Sequence, residues 1–192
     1  MAARGFSEGG RRYVPVTAKA HEIPNQPPLI PMDIVEFLTN LVTIEEAPFL
    51  LHISNVQVEW LQNNADRLGN TRFESPPHEL DIRRRKKLPP GLVTIGLHPI
   101  LFEDEALYRH TLAHELLHAV GLISHDSRHA ELVHAIAPSP KLSDSAVLRE
   151  IREQALAQQE VQSWTCNHCT FTWGRTTIRT PSRCPKCARP FK

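Results

Sequence analysis

No stretch of the 192-residue chain approaches the run of about 18 apolar residues that a membrane-crossing helix needs. The first residues, MAARGFSEGGRRYVPV, contain arginines but no apolar segment after them, so they lack the pattern of a secretory signal. We therefore expect an intracellular protein, located in the cytoplasm or nucleoid, or in the nucleus of a eukaryotic cell.

Cysteine is absent from the first 165 residues, because all four cysteines lie in the last 27: Cys166, Cys169, Cys184 and Cys187. They form two C-x2-C pairs separated by 14 residues, a spacing that indicates metal binding rather than disulfide bonds in an intracellular chain. Two tight turns can bring four thiolates to the corners of a tetrahedron around zinc. Since about 30 residues cannot build a sufficient apolar core, the ion would stabilise the module's fold.

Acidic residues are absent from residues 163–192, which contain six lysines or arginines. The preceding 162 residues hold 16 basic and 21 acidic residues, so a basic tail follows an acidic body. Cations that contact phosphates and rings that stack on bases are typical of nucleic-acid binding, and the tail interleaves Phe171, Trp173, Arg175 and Arg179. Alternatively, the two aromatic residues form the module's own small core and the arginines are solvated.

Residues 114–126 read HELLHAVGLISHD and place His114, Glu115 and His118 in an HExxH pattern. Residues four apart on a helix lie on one face, so both imidazoles can point at one ion. Zinc binds imidazole nitrogen, and a catalytic site keeps one position open for water, on which Glu115 can act as general base. The rest of this helix is apolar, and burying these groups without a partner would be costly, which favours a metal site over a chance match.

The third metal ligand has four candidates downstream: His125, Asp126, His129 and His134. The motif resembles the metzincin pattern HExxHxxGxxH with one residue inserted after Gly121. Metzincins also need a methionine turn downstream of this motif, and the only methionines, Met1 and Met32, lie upstream. This departure argues against a metzincin.

Hydrophobic periodicity predicts an α+β fold. Helices are expected in MDIVEFLTNLV, in EDEALYRHTLAHELLHA with its acidic start and Gly121 as C-cap, at about 127–137, and in SDSAVLREIREQALAQQEVQ. Strands are expected in HISNVQVEWL, near 71–74, and in the apolar GLVTIGLHP.

A second basic run lies in SPPHELDIRRRKKLPPG, whose four prolines predict a loop or the tip of a hairpin. Such a run is usually solvated surface. Its position one strand before the HExxH helix also makes it a candidate for holding DNA near the cleft, through Arg83, Arg84, Arg85, Lys86 and Lys87.

From about residue 34 the chain resembles the SprT-like metalloproteases, a group that includes Spartan and the related WLM-type proteases. VEWLQNNADRLGNTRFE resembles the family's segment in which a strand ending in Trp precedes a helix and a Gly-x-Thr turn, and GLVTIGLHPILFEDEALYRHTLAHELLHA resembles its strand, acidic helix start and HExxH helix. HDSRHAELVHAI is similar to the helix that carries the third ligand. That alignment assigns the ligand to His125, and His129 is the alternative.

The resemblance implies a zincin-like domain at 32–162, in which a small sheet packs on the HExxH helix. A flexible segment at 1–31 would precede it, and a four-cysteine zinc ribbon at 163–192 would follow. We expect two zinc ions per chain, one catalytic and one structural, and a DNA-activated metalloprotease of DNA repair that cleaves proteins bound or crosslinked to DNA. Two other classes stay open: a general intracellular zinc protease with a protein-binding ribbon, and a non-catalytic DNA-binding zinc protein, against which Glu115 argues.

Overall fold

The computed structural model of the chain describes residues 16, 21–62 and 65–191. The fold is α+β and divides into two compact units, Met1–Pro138 and Ser139–Lys192. Among the described residues, no helix is long and apolar enough to cross a membrane.

The first unit contains a three-stranded sheet made of β1 (Val56–Trp60), β2 (Gly69–Phe73) and β3 (Val93–Leu97), close to the three predicted strands. The central strand is β3, which runs parallel to β1 and antiparallel to β2, with Thr71 opposite Ile95. Its apolar sequence reflects this position, since most of its residues are buried.

The described residues of the first unit also form four α-helices and two short 3-10 helices: α1 (Met32–Leu41), α2 (Pro77–Lys86), α3 (Glu105–Ala119), α4 (Ser127–Ile136), and the 3-10 helices Leu50–Asn55 and Pro99–Glu103. The HExxH helix is α3. It begins where the Asp104 side chain accepts a hydrogen bond from the backbone N–H of Leu107 at 3.0 Å. It ends just before Gly121, whose φ of 106° lies in the left-handed region that glycine adopts without strain. The predicted helix and both of its end signals are confirmed.

The core of the first unit lies around α3, which packs on β2 and β3 and also contacts α4. Leu112, Leu116 and Leu117 of α3 are fully buried, as are Ile95 and Leu97 of the central strand. Because neighbours cover α3 on several sides, its apolar residues do not form a single stripe, and Glu115 of the HExxH motif is buried among them.

The predicted loop that carries the basic run instead contains α2, so this prediction was wrong. Pro77 occupies the first turn of α2, where a missing N–H costs nothing. Ion pairs one turn apart, Glu79 with Arg83 and Asp81 with Arg85, stabilise the helix. No residue of α2 is buried, so the helix has no apolar stripe from which periodicity would identify it.

Residues 21–31 form no helix or strand, but several of them are hydrogen bonded to the strands and helices of the first unit. The indole Nε1 of Trp60 donates to the carbonyl oxygen of Gln26 at 2.7 Å. The hydroxyl of Tyr108 donates to the carbonyl oxygen of Leu29 at 2.6 Å and accepts from its N–H at 2.9 Å. The rest of the segment expected to be flexible lies outside the described residues, apart from residue 16.

The second unit contains the helix α5 (Ala146–Ala157) and a hairpin of β4 (Ser163–Thr165) and β5 (Thr172–Gly174). The two strands are antiparallel and place Trp164 opposite Trp173. The predicted helix α5 is present, and it belongs to the second unit, whereas the sequence suggested that it would be part of the preceding domain.

Candidate metal centres

Three imidazole nitrogens converge beside the C-terminal half of α3. The Nε2 atom of His118 lies 3.1 Å from Nε2 of His114 and 3.1 Å from Nε2 of His125, and the remaining side of this triangle is 3.2 Å. Tetrahedral zinc with bonds of about 2.0–2.1 Å holds its nitrogen ligands about 3.3 Å apart. The triangle therefore has the dimensions of three ligands of one zinc ion, and the residues present fit that metal.

The helix end orients His118. The Nδ1 atom of His118 lies 2.8 Å from the carbonyl oxygen of Leu122, and because a carbonyl only accepts, Nδ1 carries the proton. The left-handed turn at Gly121 places Leu122 next to the end of the helix, where its N–H donates to the carbonyl oxygen of Leu117 at 3.0 Å. The unprotonated Nε2 of His118 is thus directed at the other two rings, as a metal ligand requires.

Burial keeps His114 and His118 uncharged. It lowers the pKa of His114 to about 4, and the neighbouring histidines, His118 first, contribute to that lowering. The pKa of His118 is also lowered, chiefly by burial. Both rings are therefore neutral at pH 7, the state in which imidazole binds a metal.

A fourth ring, that of His129, joins the cluster from α4. It stacks on His118 with centroids 4.6 Å apart, and its ligand atom lies within 4.8 Å of those of His114 and His118. His129 is only 2% exposed, and its Nε2 is buried without a hydrogen-bond partner among the described residues. Both candidate third ligands thus adjoin the pair on α3, and the shorter distances belong to His125.

The other candidates for the third ligand do not enter the cluster. Asp126 accepts the backbone N–H of His129 at 2.9 Å and so caps α4. His134 is exposed on α4, and His110, one turn before the motif, has its Nδ1 2.8 Å from the carbonyl oxygen of Ala137.

Glu115 of the HExxH motif is buried against β2. The carboxylate accepts a hydrogen bond from Thr71 Oγ1, which lies 2.7 Å from its Oε2, and only 6% of the residue is exposed. Burial raises the pKa of Glu115, while the bond from Thr71 and the charges of His125 and Arg67 oppose that shift. The carboxylate is therefore buried beside the histidine cluster.

Sequence reasoning missed two β2 residues at this site, Gly69 and Thr71. A Cβ atom at Gly69 would lie 2.8 Å from Cγ and from Oε1 of Glu115, and 2.8 Å from Cγ2 of Thr111. The strand therefore approaches α3 more closely than any side chain would allow at this position. The only signal was the Gly-Asn-Thr sequence, which the family resemblance included without assigning it a role.

The four cysteine sulfurs of the second unit lie within 4.8 Å of one another. The Sγ atoms of Cys166 and Cys187 are 3.7 Å apart. Those of Cys169 and Cys184 are also 3.7 Å apart. Tetrahedral zinc with Zn–S bonds of about 2.3 Å separates its sulfurs by about 3.8 Å, so the residues fit a structural zinc ion. His168 contributes its backbone N–H to Cys166 at 3.4 Å and is not a member of the cluster.

The aromatic residues of the ribbon contact one another. Trp173 packs edge-on against Phe191 at 5.3 Å between centroids and lies nearly parallel to Phe171 at 6.0 Å. Phe191 also meets Trp164 edge-on at 5.6 Å. These contacts are those of a small core, the alternative that the sequence left open, while Phe171 remains 36% exposed.

The ribbon arginines differ in whether they are hydrogen bonded within the fold. The Arg175 guanidinium donates to the carbonyl oxygens of Val161 and Thr177, each at 3.0 Å, and to that of Ile178. These bonds link Arg175 to the backbone around β5, and they leave the guanidinium little freedom to contact a phosphate. Arg179 is exposed.

Three of the five cations of the basic run on and after α2 form ion pairs: Arg83 with Glu79, Arg85 with Asp81, and Lys87 with Glu45. Within the described part of the chain, Arg84 and Lys86 have no carboxylate partner. A nucleic acid would therefore meet a smaller net charge on this helix than the sequence suggests.

No family model, curated protein or solved structure matches the chain. The family resemblance therefore rests on the motifs alone. The structure departs from the family segment in two respects. The described residues between β1 and β2 form no helix. The Gly-Asn-Thr sequence lies within β2 rather than in a turn.

Proposed function

We propose that the chain is a zinc-dependent, zincin-like metallopeptidase that cleaves proteins bound or crosslinked to DNA, and that DNA stimulates the cleavage. The observation that carries the proposal is the triangle of Nε2 atoms from His114, His118 and His125, beside the buried carboxylate of Glu115. Three imidazoles leave a fourth position for reactants, which distinguishes a catalytic zinc site from a closed structural one.

The chain's own residues supply the proton transfers. Zinc, when bound, would polarise the scissile carbonyl and lower the pKa of water toward about 7. The Glu115 carboxylate takes the proton from the attacking water and delivers it to the nitrogen of the leaving amine. Its pKa, raised by burial, favours accepting that proton. The bond from His118 to the Leu122 carbonyl keeps the imidazole oriented throughout.

The sheet offers a place for an extended substrate. In the described sheet β2 is an edge strand that pairs only with β3. A peptide can add to such an edge through main-chain hydrogen bonds. Because Gly69 and Thr71 of β2 contact Glu115, a peptide on this edge would lie near the general base.

The DNA part of the proposal rests on the charge of the ribbon. Residues 163–192 contain six cations and no anion. Arg175 and Arg183 donate to main-chain carbonyl oxygens within the fold, which leaves Arg179, Lys186 and Arg189 as the described cations best placed to contact phosphates.

Two observations favour other functions. The aromatic rings of the ribbon pack on one another, which fits a protein-binding module on a general zinc peptidase. The buried, unpartnered Nε2 of His129 would close the histidine site if it became a fourth ligand, and a closed site is structural rather than catalytic.

The test is cleavage of a DNA-bound protein by the zinc-loaded chain, with and without DNA. Wild type should cleave, DNA should accelerate the reaction, and Glu115→Gln should keep its zinc yet lose activity at least about 100-fold, because only the base is removed. Glu131→Gln, an exposed glutamate on α4, is the matched control and should be unaffected. Cleavage by Glu115→Gln near the wild-type rate would refute the assignment of the base.

A further inference from the structure

Two residues of β2 meet the side chain of Glu115. Gly69 and Thr71 are two positions apart on a strand, so they face the same side of the sheet, which here is the side covered by α3. Thr71 is 44 residues from Glu115 along the chain, so the contact depends on the fold and not on local sequence.

Thr71 provides the polar contact. Its Oγ1 lies 2.7 Å from Oε2 and 2.9 Å from the main-chain oxygen of Glu115. One hydroxyl has one proton to donate, and an ionised carboxylate is a stronger acceptor than a carbonyl. The bond to Oε2 therefore dominates, and the second contact keeps the hydroxyl against the same residue.

Gly69 provides the steric boundary. A Cβ atom there would lie 2.8 Å from both Cγ and Oε1 of Glu115, a separation that real Cβ contacts do not show. Thr71 thus holds Oε2 while the backbone at Gly69 lies against Oε1 and the Cγ methylene. Since Glu115 is 6% exposed, there is little room for water to take over either contact.

We propose that Gly69 and Thr71 are positioning residues that together fix the carboxylate of Glu115 for its work as general base. The inference rests on the proposed function of Glu115. A glutamate side chain has three rotatable bonds, and a general base acts only within hydrogen-bond reach of the proton that it abstracts. Misplacing a reacting group by about 1 Å can cost about 100-fold in rate, so a buried, two-sided support of this kind affects turnover rather than substrate binding.

The variants Thr71→Val and Thr71→Ser separate positioning from packing, because valine keeps the shape of threonine without its hydroxyl and serine keeps the hydroxyl. Thr71→Val should lower kcat by about 10- to 100-fold with KM changed less than about twofold, and Thr71→Ser should recover most of the loss. Gly69→Ala should lower kcat in the same way, since the carboxylate must move. Thr94→Val, on the neighbouring strand β3, is the control and should behave like wild type.

Crystal structures of the zinc-loaded variants give a readout that needs no activity. In Thr71→Val and Gly69→Ala the Glu115 carboxylate should be rotated from its wild-type position, while the backbone of α3 stays in place and both zinc sites still load. An unchanged carboxylate together with wild-type kcat in Thr71→Val would overturn the inference. A wild-type chain without metal-dependent cleavage would overturn the proposed function. The position of the Glu115 carboxylate in the variant crystals tests the positioning role separately, and an unmoved carboxylate would count against that role.

Discussion

The Nδ1 atom of His118 lies 2.8 Å from the carbonyl oxygen of Leu122, the residue that follows Gly121 at the end of α3. The orientation of one ring of the histidine triangle is therefore coupled to the conformation of the glycine that ends its own helix. Gly121 has φ of 106°, and a Cβ atom there would also lie 3.0 Å from Cδ of Pro48.

Gly121→Ala should consequently weaken the histidine site. The strained backbone should lower the free energy of unfolding by about 1–2 kcal/mol, and displacement of the Leu122 carbonyl should lower zinc affinity at the histidines about 10-fold or more. Competition with a chelator and urea denaturation measure the two effects. Gly174→Ala is the control, because a Cβ atom there meets nothing within 4 Å.

The third ligand should be identified by metal content. Wild type should hold two zinc ions per chain, and His114→Ala should hold one. His125→Ala should also hold one and stay folded, because His125 is exposed. His129→Ala should keep both ions but lose about 2 kcal/mol or more of stability, because its buried side chain would leave a cavity. The opposite pattern would assign the third ligand to His129. Loss of one ion in both His125→Ala and His129→Ala would indicate a closed, four-histidine site.

Acid should destabilise the metal-free protein in a defined window. Burial lowers the pKa of His114 and of His129 to about 4, below the value of 6.5 that histidine has in an unfolded chain. Between these values the unfolded state binds more protons than the folded state. The free energy of unfolding therefore has its highest value above pH 6.5 and decreases as the pH drops toward 4. Urea titrations at pH 7, 5.5 and 4.5 measure the fall, which should be shallower in His129→Leu. Equal slopes in the two proteins would contradict the assigned role of burial.

DNA binding should depend on the ribbon cations that the fold leaves free. The triple variant Arg179→Ser, Lys186→Ser, Arg189→Ser should weaken binding and reduce the log–log salt slope by about 0.9 for each duplex phosphate that the protein no longer neutralises. Arg85→Ser should change the slope much less, since that cation already pairs with Asp81. Titrations of labelled DNA at several salt concentrations measure both slopes. An unaltered slope in the triple variant would favour the protein-binding interpretation of the ribbon.

The HExxH helix could be predicted because its local signals agree. Acidic residues open it, Asp104 caps it, apolar residues surround the HExxH motif, and Gly121 ends it. The four-cysteine cluster could be predicted for the same reason, since the spacing of the C-x2-C pairs determines the two tight turns. The α2 helix could not, because it buries nothing and its stabilising pairs look like ordinary surface charge.

The surroundings of Glu115 could not be predicted from sequence spacing. The bond from Thr71 exists only because β2 and β3 pair with Thr71 opposite Ile95, and because α3 then packs on that face. Likewise, the choice between His125 and His129 depends on the path of the chain from Gly121 to the start of α4. No local pattern determines that path, and this is why both histidines remained candidates.

Anomalous diffraction at the zinc edge, from crystals of the zinc-loaded chain, tests the central claim most directly. We predict one peak among the four cysteine sulfurs and a second about 2.0–2.1 Å from the Nε2 atoms of His114, His118 and His125, with a solvent molecule in the fourth position. A second peak that is also bonded to His129, with no solvent ligand, would contradict a catalytic site. The absence of any peak at the histidines would contradict the metallopeptidase account altogether.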